Sequence, residues 1–163
     1  MRVGIVMGSK SDLPIVSKIG VVLDELGVAW EMRILSAHRT PAQAEEWART
    51  AQDRGLGVLI CCAGMAAHLG GVVAAHSLLP VIGVPINASL GGIDSLLSIV
   101  QMPPGVPVGT VGIGSAGAKN AAWLAIRILA LSDRGLAGRL IEARRAMTEK
   151  VLKDDAALQT QLG

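Results

Sequence analysis

The feature that most constrains this chain is a repeated unit: an apolar run, a turn of small residues, then a helical pattern. Val3-Gly4-Ile5-Val6-Met7 is continuously apolar, as expected of a strand covered on both faces. Gly8-Ser9-Lys10-Ser11-Asp12 follows, and helical spacing then runs through Ile15, Ile19, Val22, Leu23 and Leu26 until Gly27 stops it. The unit recurs. A strand over Val28 to Leu35 precedes a helix over Ala42 to Arg54, closed by Gly55, and a strand over Val58 to Ala63 precedes a helix ending at His76. A strand over Val81 to Val84 is followed by the loop Asn87 to Gly92 and a short helix, Ile93 to Val100. A fifth strand, Val106 to Ile113, leads through Gly114 to Gly117 into a helix over Ala118 to Leu131. An amphipathic helix then runs from Asp133 to about Leu152, with a polar tail.

Five strands alternating with helices predict a parallel sheet with helices on both faces and right-handed crossovers. The expected architecture is a flavodoxin-like three-layer α/β/α sandwich with strand order 2-1-3-4-5. The 163 residues suit a single domain over positions 1–163. The extra C-terminal helix, about 133–152, has no later strand to cover and is expected to pack on a neighbouring subunit.

In such sheets ligands bind beyond the carboxyl ends of the strands. Three turns converge there, carrying Ser9, Ser11 and Asp12, then Ser36, His38 and Arg39, then Ala63 to Leu69. Imidazole carries protons near neutral pH, and a guanidinium grips a phosphate with parallel hydrogen bonds. The set fits a phosphorylated sugar: Arg39, Ser9 and Ser11 for the phosphate and Asp12 for ribose hydroxyls. The same residues have plainer uses. Ser11 or Asp12 can cap the first helix, and Thr40 can cap the second with Pro41 in its first turn. His68 either lines the site or caps its own helix, and His76 reads as a surface or subunit-contact residue.

No Gly-x-Gly-x-x-Gly follows the first strand and no P-loop is present, so dinucleotide and triphosphate binding are poorly supported. Ser, His and acid do not recur as a nucleophile–base–orienter set. What remains is proton transfer by an imidazole beside an anchored, nucleotide-like substrate.

Composition narrows the partners. Fifteen basic against thirteen acidic side chains leave a net charge of only +2, too balanced to imply a polyanion. Three Trp without Phe or Tyr argue against stacking platforms for nucleic acid. No run approaches the roughly 18 apolar residues of a membrane helix, and Met1 to Met7 is too short for a signal peptide. Cys61 and Cys62 are adjacent on a strand, so they point to opposite faces and read as buried, reduced thiols of a cytoplasmic protein. Cys and His show no metal-ligand spacing.

Several motifs together carry a resemblance. They are Met7-Gly8-Ser9-Lys10-Ser11-Asp12, Ser36-Ala37-His38-Arg39-Thr40-Pro41, Ala66-Ala67-His68-Leu69, Pro80-Val81-Ile82-Gly83-Val84-Pro85, Asp94 through Pro103, and Asn120-Ala121-Ala122. In this order, over nearly the whole chain, they resemble the PurE family. The resemblance implies a homo-octamer of flavodoxin-like subunits needing neither metal nor organic cofactor. It implies a mutase of purine (IMP) synthesis that turns N5-carboxyaminoimidazole ribonucleotide into 4-carboxy-5-aminoimidazole ribonucleotide. Its near rival is the carboxylase branch, which uses carbon dioxide directly and usually has Lys where this chain has Arg39. By the resemblance His38 is the general acid and base, and Ser9, Asp12 and Arg39 bind the ribonucleotide with Ser11 and Ser36 assisting. Ala63, Gly64, Ala66, Ala67 and Leu69 supply an apolar wall that holds carbon dioxide and excludes water. A non-catalytic nucleotide-binding module and a paralogue acting on another carboxylated heterocycle remain alternatives.

The chain departs from the family after the third strand. Cys62 and Met65 stand at glycine positions, Gly70 stands at a proline, and the loop Asn87 to Gly92 is one residue short. Met65 is expected to keep φ below zero and to turn away from the His38 cleft.

Overall fold

The structure is a computed structural model, and it describes residues 1–162. Five parallel strands form one sheet in the order β2-β1-β3-β4-β5. They are β1 (Arg2–Met7), β2 (Trp30–Ile34), β3 (Leu56–Gly64), β4 (Val81–Ile86) and β5 (Gly109–Thr110). The helices are α1 (Leu13–Glu25), α2 (Pro41–Arg49), α3 (Leu69–His76), α4 (Ile93–Val100), α5 (Gly114–Ala130) and α6 (Arg134–Leu162). This is the flavodoxin-like sandwich that the alternation predicts.

The period-2 alternation of the strands divides the core in two. Val3, Ile5 and Met7 of β1, with Ile60 and Cys62 of β3, pack against α1 and α5 on one face. Val6 of β1, with Leu59 and Cys61 of β3, packs under α2, α3 and α4 on the other. Cys61 and Cys62 are thus free, buried and on opposite faces, as their adjacency requires. Burial pushes both thiols well above their ordinary titration range. Gly27 stops α1 in the left-handed conformation, φ 64°, which costs glycine nothing.

Three boundaries differ from expectation. The fifth strand pairs only at Gly109 and Thr110, because it is an edge strand whose approach contains Pro103, Pro104 and Pro107, and proline donates nothing to a ladder. Helix α2 ends at Arg49, where the Thr50 hydroxyl donates back to the Glu46 carbonyl at 2.8 Å; looser turns carry the chain on to Gly55. Helix α6 runs ten residues past Leu152 to Leu162. The extension lacks an apolar stripe, but Ala, Leu, Gln and Lys all favour helix, and the Lys150–Asp154 pair at 3.6 Å spans one turn.

Apart from Leu136, α6 has no buried side chain. No helix among the described residues is long and apolar enough to cross a membrane.

Candidate active site

The cleft lies where the carboxyl ends of β1, β2 and β3 open on one edge of the sheet. Its volume is about 480 Å³, the size of a small-molecule site. It takes in Ser9, Ser11 and Asp12 after β1, Ser36, His38 and Arg39 after β2, and Ala63, Gly64, Ala66, His68 and Leu69 after β3. Every residue predicted for the site therefore lines one cavity. Parallel strands all point their carboxyl ends the same way, so residues some 30 positions apart meet at one edge.

After β1 the turn is a short 3₁₀ helix, Lys10–Asp12, and Ser9 caps it by accepting from the Ser11 N–H at 3.3 Å. Ser11 Oγ also donates to Ser9 Oγ at 2.9 Å. Asp12 occupies the cap position of α1 without making a capping bond, so the cap belongs to Ser9 rather than to Ser11 or Asp12. Burial in the cleft pushes the Asp12 carboxyl above its ordinary range, against the opposing hydrogen bonds from the Ser11 hydroxyl and the Ser9 backbone.

After β2 the turn is closed by Thr40. Its Oγ1 accepts from the Ser36 N–H at 2.8 Å and donates to the Ser36 carbonyl at 3.2 Å. It therefore ties off the turn instead of capping α2, which it was expected to do. Ser36 Oγ in turn accepts from the Arg39 backbone N–H at 3.2 Å. The Arg39 guanidinium donates to the Gly8 carbonyl at 2.9 Å, stitching the second turn to the first. His38 is exposed in the cleft, and its Nε2 lies 2.9 Å from Nδ1 of His68. His68 sits at the cap position of α3 but makes no capping bond, so it lines the site. His76 is a surface residue 3.9 Å from Glu45.

Met65 corrects an expectation. Its φ is 57°, in the left-handed region, and it lies on the rim of the cleft, 61% exposed, instead of turning away. The exit path of β3 imposes this conformation, and Ser98 Oγ on α4 donates to the Met65 carbonyl at 3.3 Å. A left-handed non-glycine residue costs about 1–2 kcal/mol. Met65→Gly is accordingly expected to raise stability by about 0.5–1 kcal/mol once the greater freedom of the unfolded chain is deducted. The readout is the urea midpoint; an unchanged or lower midpoint would show that the strain is relieved elsewhere. The other two departures are absorbed. Cys62 is wholly buried, and α3 forms with Gly70 at its second position.

Sequence reasoning missed Ala88, which reaches the cleft from the loop after β4. The signal was available, since every loop after a strand opens on this edge. That loop is unusual, with Leu90, Gly91 and Gly92 all at positive φ. A larger groove of about 740 Å³ lies elsewhere, between α5 and α6, lined by Trp123, Leu124, Leu140, Ile141 and Met147 among others. It lacks the convergent polar groups of the strand-end cleft, so the chemistry is assigned to the smaller one.

Fold and cleft define the class: a doubly wound α/β protein with a proton-transfer site at its topological switch point. Residues 2–150 match the family described as AIR carboxylase. The chain belongs to that family. It is 54% identical over 147 residues to the N5-carboxyaminoimidazole ribonucleotide mutase of Pyrococcus abyssi, covering 90% of this chain and 83% of that one. It is 52% identical over 157 residues to the mutase of the same name from Bacillus subtilis, covering 96% and 97%. The crystal structure of Treponema denticola PurE superposes with a TM-score of 0.84 at 31% identity, covering 96% of this chain and 97% of that one.

Proposed function

We infer that this chain is an N5-carboxyaminoimidazole ribonucleotide mutase, an isomerase of purine synthesis. The observation that carries the reading is the cleft itself, in which His38 stands among Ser9, Ser11, Asp12 and Arg39 beside a wall of Ala63, Gly64, Ala66 and Leu69. Hydroxyls, a carboxylate and a guanidinium suit a ribose phosphate. Apolar residues suit a transient molecule of carbon dioxide.

The reaction needs one group that gives and then takes a proton. The carbamate C–N bond breaks, carbon dioxide is released inside the cleft, and the nitrogen takes up a proton from protonated His38. The imidazole carbon, nucleophilic as in an enamine, attacks the carbon dioxide and forms the new C–C bond. Neutral His38 then removes the proton from that carbon, and the aromatic ring is restored. His38 ends as it began, and no outside reagent is consumed.

The family's description speaks of a carboxylase, but relatives sharing half of this chain's residues are named mutases. Arg39 in Ser-Ala-His-Arg-Thr-Pro supports the same choice. The deciding experiment supplies labelled bicarbonate together with unlabelled carbamate substrate. Unlabelled product is expected. Efficient product formation from aminoimidazole ribonucleotide at low bicarbonate, with the carbamate left unused, would transfer the chain to the carboxylase branch.

The reading extends to assembly. We take the chain to be one domain of a homo-oligomer, with α6 on a neighbouring subunit. Helix α6 exposes Ile141, Val151, Leu152 and Leu162, and the apolar α5–α6 groove lies beside it. Patches of this kind favour closed symmetric assemblies; the number eight rests on the family resemblance alone. Light scattering is expected to give several times the mass of one chain, and a monomer mass would refute the assembly. Two buried thiols support a cytoplasmic location.

A further inference from the structure

We propose that His68 is a positioning residue for His38, holding its ring in one tautomer and one orientation through the whole proton cycle. This rests on the mutase reading above.

The observation is the contact of His38 Nε2 with His68 Nδ1 at 2.9 Å, with ring centroids 5.0 Å apart and planes at 86°. A 2.9 Å separation of two ring nitrogens requires one proton between them, one ring donating and the other accepting. His38 must exist both protonated and neutral during turnover. In the protonated ring Nε2 necessarily carries hydrogen, so it donates, and His68 Nδ1 must present its lone pair. His68 is then the neutral tautomer with hydrogen on Nε2. When His38 gives up one proton, the arrangement that keeps this hydrogen bond retains the hydrogen on Nε2 and releases the one on Nδ1. The proton is therefore given and recovered at His38 Nδ1, which makes no hydrogen bond among the described residues. The ring never turns over. The bond is charge-assisted, hence stronger, while His38 is protonated. An orienting partner on the far nitrogen of a catalytic imidazole plays the same part in hydrolytic triads; here a second imidazole takes the place of the carboxylate.

Two further facts support an orienting role. His68 is not used to cap α3, so its side chain is free for this contact. It projects from the turn after β3 while His38 projects from the turn after β2, so the contact locks the two turns in register. The other ionisable side chains lining the cleft are Asp12 and Arg39. Arg39 is engaged with Gly8 and Ser36, and Asp12 with Ser11, so His68 is the partner that His38 has.

The test compares His68→Asn, His68→Gln and His68→Leu in the full-length enzyme by steady-state kinetics on the carbamate substrate. The side-chain amide of Asn lies close to the place of imidazole Nδ1, whereas that of Gln reaches toward Nε2. His68→Leu and His68→Gln are expected to lose about 10- to 100-fold in kcat, as is usual when an orienting partner is removed, with KM changed less than about threefold. His68→Asn is expected to recover most of the loss. All three should match the parent in thermal midpoint, since the residue is exposed. A rise in KM with kcat intact would make His68 a substrate ligand and overturn the proposal. Equal kcat in the Asn and Gln variants would overturn it as well, because only the Nδ1 position distinguishes them. If the parent itself failed to turn over the carbamate, the mutase reading would fall and this inference with it; an active parent confines the failure to His68.

Discussion

His38→Asn is expected to lower kcat by about 10² to 10⁴ while leaving substrate affinity nearly unchanged. Asn keeps a polar side chain of similar bulk but cannot give and take a proton. The loss should fall on both half-reactions, because the same imidazole protonates the leaving nitrogen and deprotonates the carbon. Arg39→Ala is the contrasting variant. It strips a charged donor from the proposed phosphate site, and charge-assisted hydrogen bonds contribute about 1.5–3 kcal/mol, so affinity should fall roughly 10- to 100-fold. Part of that loss would come from the turn itself, since Arg39 also holds the Gly8 carbonyl at 2.9 Å. Binding of the product ribonucleotide, measured by calorimetry beside initial rates, separates the two variants. If both lost turnover alone, with affinity intact, the division between a proton carrier and an anchor would be wrong.

The second large effect lies outside the cleft. Gly117→Ala is expected to destabilise the protein by about 3 kcal/mol or more, at or beyond the upper end for overpacked sites. Gly117 is buried in the first turns of α5, and an added Cβ would stand 1.5 Å from the carbonyl oxygen of Gly112. That atom is backbone and cannot swing aside as a side-chain end can. The start of α5 would have to move, and with it Ala118, Ala121, Ala122 and Ala125, all wholly buried. Gly138→Ala is the control. It lies within α6, and a Cβ there meets nothing within 4 Å, so replacement of a helical glycine should stabilise by up to about 1 kcal/mol. Urea unfolding of both variants checks the pair. A Gly117→Ala protein as stable as its parent would mean that the Gly112 turn yields easily.

Much of this was legible in the linear chain. Five apolar runs alternating with helical spacing specified a parallel sheet and its order. They thereby specified that Ser9, Ser11 and Asp12, then Ser36, His38 and Arg39, then Ala63 to Leu69 would meet, because strand direction alone brings those turns to one edge. The adjacency of Cys61 and Cys62 was enough to place them on opposite faces. Ala88 was missed although the same rule reaches it. The last ten residues of α6 were missed because propensity, without an apolar stripe, leaves no periodic mark.

Hydrophobic period reports which side of an element is covered, and the sequence by itself determined everything that follows from that: layers, faces, strand order and the location of the cleft. It carries no information about a loop's φ or about distances between side chains on different turns. Only the tertiary structure decided that Met65 is left-handed, since the path from β3 to α3 and the Ser98 hydroxyl set that angle. Only the packing at the start of α5 makes Gly117 irreplaceable, through a carbonyl five residues earlier. The tertiary structure likewise set His38 against His68 at 2.9 Å, because that distance depends on how two neighbouring strands end in space, and no local pattern of residues encodes it.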